Sequence, residues 1–192
     1  DYNPPDISLV RAVAEGIRER APSLLHAAHC APETSALDWY AGESWLDINT
    51  TYSYEEVLHK HTLRDYGRSP VMPFFMIESR YENENADRAR LRRQAYWPFL
   101  TGAAGQIYGN NPVWLFDSGW QAALDSQGAQ DVERQASFLA TVPWHELQPD
   151  LDHSVLTGGY GSASGVDYVT AAYTSDHRFA MVYVPPTGTS SR

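Results

Sequence analysis

The stretch VMPFFMIESRYENE (71–84) decides the architecture. Its first seven residues are six hydrophobic side chains and Pro73, the composition of a strand buried on both faces. Three carboxylates then follow closely: Glu78, Glu82 and Glu84. A carboxylate at the mouth of an apolar core costs free energy unless it is paired or used. The end of this strand is therefore a candidate active-site edge, and Glu78 is its first acid.

Outward from this strand, extended and helical patterns alternate. Asp6 suits an N-cap, and residues 7–20 read as a helix with Leu9, Val13 and Ile17 on one apolar face. SLLHAAHC (23–30) and WLDINTTYSY (45–54) read as strands. Residues 54–67 read as a helix between a Ser53 cap and a Gly67 stop. Beyond the 71–78 strand, the chain from Ala86 has helical composition up to the small residues Gly102 to Gly105, with a kink or interruption predicted at Pro98. QIYGNNPVWLF (106–116) reads as a strand and loop, and 118–141 as a helix in two pieces divided around Gly128. Alternation of this kind marks a parallel α/β architecture. After Pro149 the texture changes to the Gly/Ser-rich TGGYGSASG, then to a polar–apolar alternation with a turn at Ser175-Asp176. The chain thus divides into 1–150 and 151–192, the latter being the start of an all-β element too short for an independent sandwich.

The 192 residues suit one domain or a little more, and 43% hydrophobic with 20% charged residues is a globular balance. A net charge of −10 argues against nucleic acid and against an anionic membrane surface as partners. No apolar run reaches the ~18 residues of a membrane span. Cys30 is the sole cysteine, which excludes an internal disulfide. The opening DYNPPD reads as the middle of a longer chain. Aromatics reach 12%, including six tryptophans, and apolar ring faces are what sugar C–H surfaces stack on.

In parallel barrels, active sites lie at the C-terminal ends of strands. That rule collects Glu78, His29, Asn49 and Tyr52, then Tyr108, Asn110, Asn111 and Trp114, with Asp1 and Asn3 ahead of the first helix. Two separated acids, Asp1 and Glu78, among aromatics are what glycoside hydrolysis needs. Plainer readings stand beside this one. Glu82 and Glu84 are loop charges or partners of Arg80 and Arg88. His29 is a satisfied core histidine. His59 and His61 lie on the surface. His26, His29 and Cys30 lie outside any CxxC or HExxH frame, so neither a metal nor a cofactor is assigned. A metal-dependent hydrolase using His26, His29 and Glu78 is the third reading.

ESRYENE, followed by RRQAYWPFLTGAAGQIYGNNPVW, resembles the apiosidase-like glycoside hydrolases, family 140 and its relatives. Their barrels carry a Glu and then a Tyr-Glu pair on strand seven. An Arg-rich helix follows, ending in a Gly-Ala-x-Gly turn before a Tyr-Gly on strand eight. DYNPPD resembles their segment after strand four, without its Gly-Gly, and Pro98 departs from the helix pattern. The resemblance implies the C-terminal half of a (β/α)₈ TIM barrel followed by the first strands of a β-sandwich. By position, Glu78 becomes the nucleophile and Asp1 the acid/base. Tyr81 and Glu82 support the site, Tyr108 and Trp114 shape the sugar pocket, and His29, Asn49 and Asn110 complete the substrate-binding set. It implies a carbohydrate substrate, a missing N-terminal half-barrel as partner, a secreted or periplasmic location, and a fragment unstable by itself. The alternative is a non-catalytic carbohydrate-binding relative.

Overall fold

A computed structural model describes residues 6–186. Helix α1 (Ile7–Arg20) and the short α2 (Leu37–Tyr40) precede β1 (Asn49–Tyr52). Helix α3 (His59–Tyr66), β2 (Phe74–Glu78) and α4 (Arg88–Leu100) follow, then α5 (Trp120–Ala123) and α6 (Gln127–Leu139). Three strands end the described chain: β3 (Leu147–Pro149), β4 (Thr170–Thr174) and β5 (Ala180–Tyr183).

β1 and β2 pair in parallel, and parallel bridges join Ala27 to Ile48 on one side and Met76 to Gln106 on the other. Four extended segments therefore run side by side in sequence order, with helices between them. The outer two reduce to isolated bridges, one from 23–30 and two from 106–116, so these segments are mostly not strands as the sequence suggested. The second sheet is antiparallel in the order β3–β4–β5, and the hairpin falls where Ser175-Asp176 predicts it.

Helix α4 is the hub. Eight of its residues are buried, among them Leu91, Ala95, Trp97 and Leu100. Pro98 leaves it unbroken, because it lies near the C-terminus of a helix held by packing on several sides. The helix ends at Leu100, and the chain turns away through Gly102, whose φ of +96° is left-handed and whose place beside the Tyr66 ring admits no Cβ. Leu100, Leu139, Ala172 and Met181 form one core cluster, so the antiparallel sheet packs directly on α4 and α6. Gly128 lies inside α6; the break between the two helices is at 124–126.

The apolar stripe of α1 forms as expected, whereas the expected surface placement of two histidines fails. Leu9, Val13 and Ile17 share one face and remain 47–64% exposed, because α1 packs through Ile7, Val10 and Ala14 on the neighbouring face. His59 and His61 are not surface residues. His59 is fully buried, stacked on Tyr168 and edge-on to Trp97. Its Nε2 lies 2.8 Å from the Ala163 carbonyl, which only accepts, so Nε2 carries the hydrogen.

Burial lowers the His59 pKa from 6.5 to about 4, against the Ala163 bond, which raises it. The unfolded chain therefore takes up the proton more readily. Stability is fully present above pH 6.5 and falls as the pH drops from 6.5 to about 4, by roughly 3 kcal/mol for this group. Urea midpoints at intervals over that range should show this slope. His59→Gln should flatten it between pH 6.5 and 5, where few carboxylates titrate; an unchanged slope would exclude His59 as its source.

Candidate active site

β1 and β2 end together, with Tyr52 opposite Glu78 across a bulge between Thr51 and Tyr52. The Glu78 side chain is 13% exposed. Its Oε1 accepts a close bond from the Tyr54 hydroxyl and lies 3.0 Å from that of Tyr52, while the two hydroxyls are 2.6 Å apart. His29 Nε2 lies 3.0 Å from Oε2. Burial raises the pKa of Tyr52, and the bonds to Tyr54 and Glu78 raise it further. Burial and the Glu78 bond push Tyr54 to about 12. Both phenols thus stay protonated as donors. Burial lowers the His29 pKa against the opposing pull of Glu78, so the imidazole is neutral at neutral pH. Arg80 stacks its guanidinium 4.3 Å from the Tyr54 ring centroid. Two carboxylate oxygens are thereby fixed by three side chains at the end of an apolar strand.

Glu82 stands at a second centre. Its carboxylate accepts from the Tyr108 hydroxyl, Asn110 Nδ2 (2.9 Å), Ser126 Oγ (2.5 Å) and the Gly128 N–H (2.9 Å). Burial would raise its pKa, but these donors together hold it below the ordinary carboxylate range. The backbone completes the junction, since Glu82 N–H donates to Gly109 O and Asn111 N–H to Glu82 O. One carboxylate thus joins the loop after β2, the segment after Gln106 and the first turn of α6, whose N–H groups favour negative charge.

Glu84 accepts from Asn111 Nδ2 and Trp114 Nε1, each at 2.8 Å. It pins an indole that is 53% exposed and edge-on to Tyr81 with centroids 6.2 Å apart. Neither Glu82 nor Glu84 is the solvated or Arg-paired charge of the plainer reading; Arg88 pairs with Asp131.

Of the residues picked from sequence, Glu78, His29 and Tyr52 come together. Tyr81 adjoins them, and its pKa is raised by burial and then by the Glu78 charge. Tyr108 and Asn110 gather on Glu82 instead. Asn49 is elsewhere: it opens β1 opposite Phe74, fully buried, and its Oδ1 accepts from Ser35 Oγ and Leu37 N. The strand begins at Asn49 rather than at Trp45, which moves that residue from the C-terminal to the N-terminal end. His26 does not converge with His29 and Glu78 as a metal set among the described residues. Asp1 lies outside the described residues. The sequence reading missed Tyr54, although the two-residue strand period places it on the same face as Tyr52. It also missed Ser126, which no local pattern marks.

The fold class is that of glycoside hydrolases. A structure described as a glycoside hydrolase superposes with a TM-score of 0.78 at 24% identity, over 90% of this chain and 46% of its own. A glycoside hydrolase family 5 protein from Bacteroides vulgatus ATCC 8482 superposes with a TM-score of 0.74 at 23% identity, over 85% of this chain and 43% of its own. The chain spans less than half the length of either. More narrowly, it belongs to the apiosidase-like family, whose catalytic-domain signature matches residues 1–146. No curated protein matches it. No helix among the described residues is long and apolar enough to cross a membrane.

Proposed function

We propose that this chain carries the nucleophile side of a retaining glycoside hydrolase acting on a plant-type carbohydrate. The observation that carries the proposal is Glu78, fixed by Tyr52, Tyr54 and His29 at the end of the apolar strand β2. In this reading Glu78 attacks the anomeric carbon while Asp1 protonates the leaving oxygen. Water then displaces the sugar from Glu78, with the same Asp as base. Trp114 and Tyr81 offer ring faces to the sugar. Asn110 and Tyr108 act through Glu82, which holds the loop that bears Tyr81.

Four further β/α units would close the sheet into a (β/α)₈ barrel. The observations that favour them are the edge of the Ala27 segment that no described strand pairs with and the exposed Leu9, Val13, Ile17, Leu24 and Leu25 beside it. A secreted or periplasmic location would suit a polymeric substrate too large to enter a cell.

A non-catalytic carbohydrate-binding relative is the second reading. It is favoured by the three side chains already engaging both Glu78 oxygens. Aryl glycosides and plant oligosaccharides, offered to the full-length protein and followed by NMR, separate the two. Retained anomeric configuration in the first-formed product is expected. An inverted product would make Glu78 a base rather than a nucleophile, and sugar binding without turnover would favour the second reading.

Gly109 provides a test of the site's packing. A Cβ there would lie 2.3 Å from Cδ1 of Tyr81, so Gly109→Ala must displace that ring. Turnover should fall about 10- to 100-fold from misplacement at the site. Thermal unfolding should show a loss of about 1–3 kcal/mol from overpacking. Turnover close to the parent's would mean that Tyr81 does not shape the site.

A further inference from the structure

A separate cluster lies at Glu33, Glu55 and His61, on three different segments. Glu33 is in the loop beyond the Ala27 bridge, Glu55 follows β1, and His61 is on α3. His61 Nε2 lies 3.1 Å from Glu33 Oε2 and 3.3 Å from Glu55 Oε2, and all three donor atoms fall within 4.8 Å of one another. Ligands around a tetrahedral ion with bonds of 2.0–2.1 Å stand about 3.3–3.4 Å apart, close to the two separations measured from the imidazole nitrogen.

Two further observations bear on what occupies the space between them. His61 Nε2 is a buried atom of a side chain only 13% exposed, yet it forms no hydrogen bond of acceptable geometry. The nitrogen is close to two carboxylate oxygens and aimed at neither. Glu33, meanwhile, is oriented by other groups, since Ser53 Oγ donates to its Oε2 at 2.5 Å and Tyr54 N–H to its Oε1 at 2.8 Å. Bonds to outer groups of this kind hold a ligand carboxylate in place.

We propose that Glu33, Glu55 and His61 bind a divalent transition metal of the zinc class. One imidazole and two carboxylates suit zinc or manganese; calcium takes oxygen ligands alone. Water completes the coordination on the open side, where Glu55 is 46% exposed. The ion ties the Glu33 loop, the loop after β1 and α3 together. Tyr54 stands in that second loop with its N–H on Glu33 and its hydroxyl on Glu78, so the metal steadies a residue of the other centre without touching it.

The test is isothermal titration of the full-length protein, stripped with EDTA, with zinc, manganese and calcium chlorides. One zinc per chain is expected, together with a raised melting temperature and no calcium uptake. His61→Ala should weaken zinc binding at least about tenfold. Glu55→Gln, at a half-exposed position that the fold tolerates, should weaken it comparably. His145→Ala, with a side chain 67% exposed, should leave it unchanged. No zinc uptake, uptake unaffected by Glu55→Gln, or calcium binding as tight as zinc would each overturn the proposal.

Discussion

Glu78→Gln should lower turnover by roughly 10⁴-fold or more, because an amide cannot form the glycosyl-enzyme bond. The fold should survive. The Gln oxygen can still accept from Tyr52 and Tyr54, and neutral His29 can adapt its tautomer to the amide. Melting temperature and circular dichroism near those of the parent, with kcat lost and substrate still bound, would be the supporting pattern. A variant with kcat within about tenfold of the parent would remove Glu78 from the chemistry.

Glu82→Ala should have the largest effect on stability. It leaves the Tyr108 hydroxyl, Asn110 Nδ2, Ser126 Oγ and the Gly128 N–H without their common acceptor. Unsatisfied, partly buried donors of this kind cost roughly 1–3 kcal/mol each, less where the cavity admits water, so a loss of about 3–5 kcal/mol is expected. Glu82→Gln keeps the shape but turns an amide hydrogen toward a donor, and should cost about 1–2 kcal/mol. The Glu82 pKa is lowered in the fold. Its stabilisation is therefore present above the ordinary 4.5 and lost as the pH falls through the lower folded value. Urea unfolding at neutral pH and below pH 4 measures both effects, since the gap between parent and Glu82→Ala should narrow in acid. In kcat, Glu82→Gln should lose less than Glu78→Gln. The reverse order would mean that the nucleophile is Glu82.

The strand that ends in Glu78 was legible because an apolar run and its terminating acid are local features. So were the hairpin after Thr170 and the alternation that makes the first sheet parallel. What sequence did not reveal depends on contacts between distant segments. The burial of His59 is set by Ala163 and Tyr168, about a hundred residues away, and nothing in HKHTLRDY marks it. The donors on Glu82 come from two stretches, 108–110 and 126–128, both distant from it in sequence. Asn49 shows how a boundary error propagates: a few residues' change in where the strand begins moves a side chain from one end of the sheet to the other. The apolar stripe of α1 was read correctly as a stripe, but periodicity does not say what covers it.

The antiparallel sheet also bears on where the chain can be cut. Trp97 is fully buried, packs with Tyr168 and donates its indole N–H to the Tyr168 carbonyl, while Ala172 and Met181 fill the cluster around Leu100. Tyr168, Ala172 and Met181 all follow the change of texture at Pro149. Trimming there to isolate the α/β portion would strip α4 of its outer cover and open the far side of the helix that follows the Glu78 strand. The β-element serves the α/β portion as a wall it shares, and protease-guided dissection should find no resistant piece that ends near residue 150.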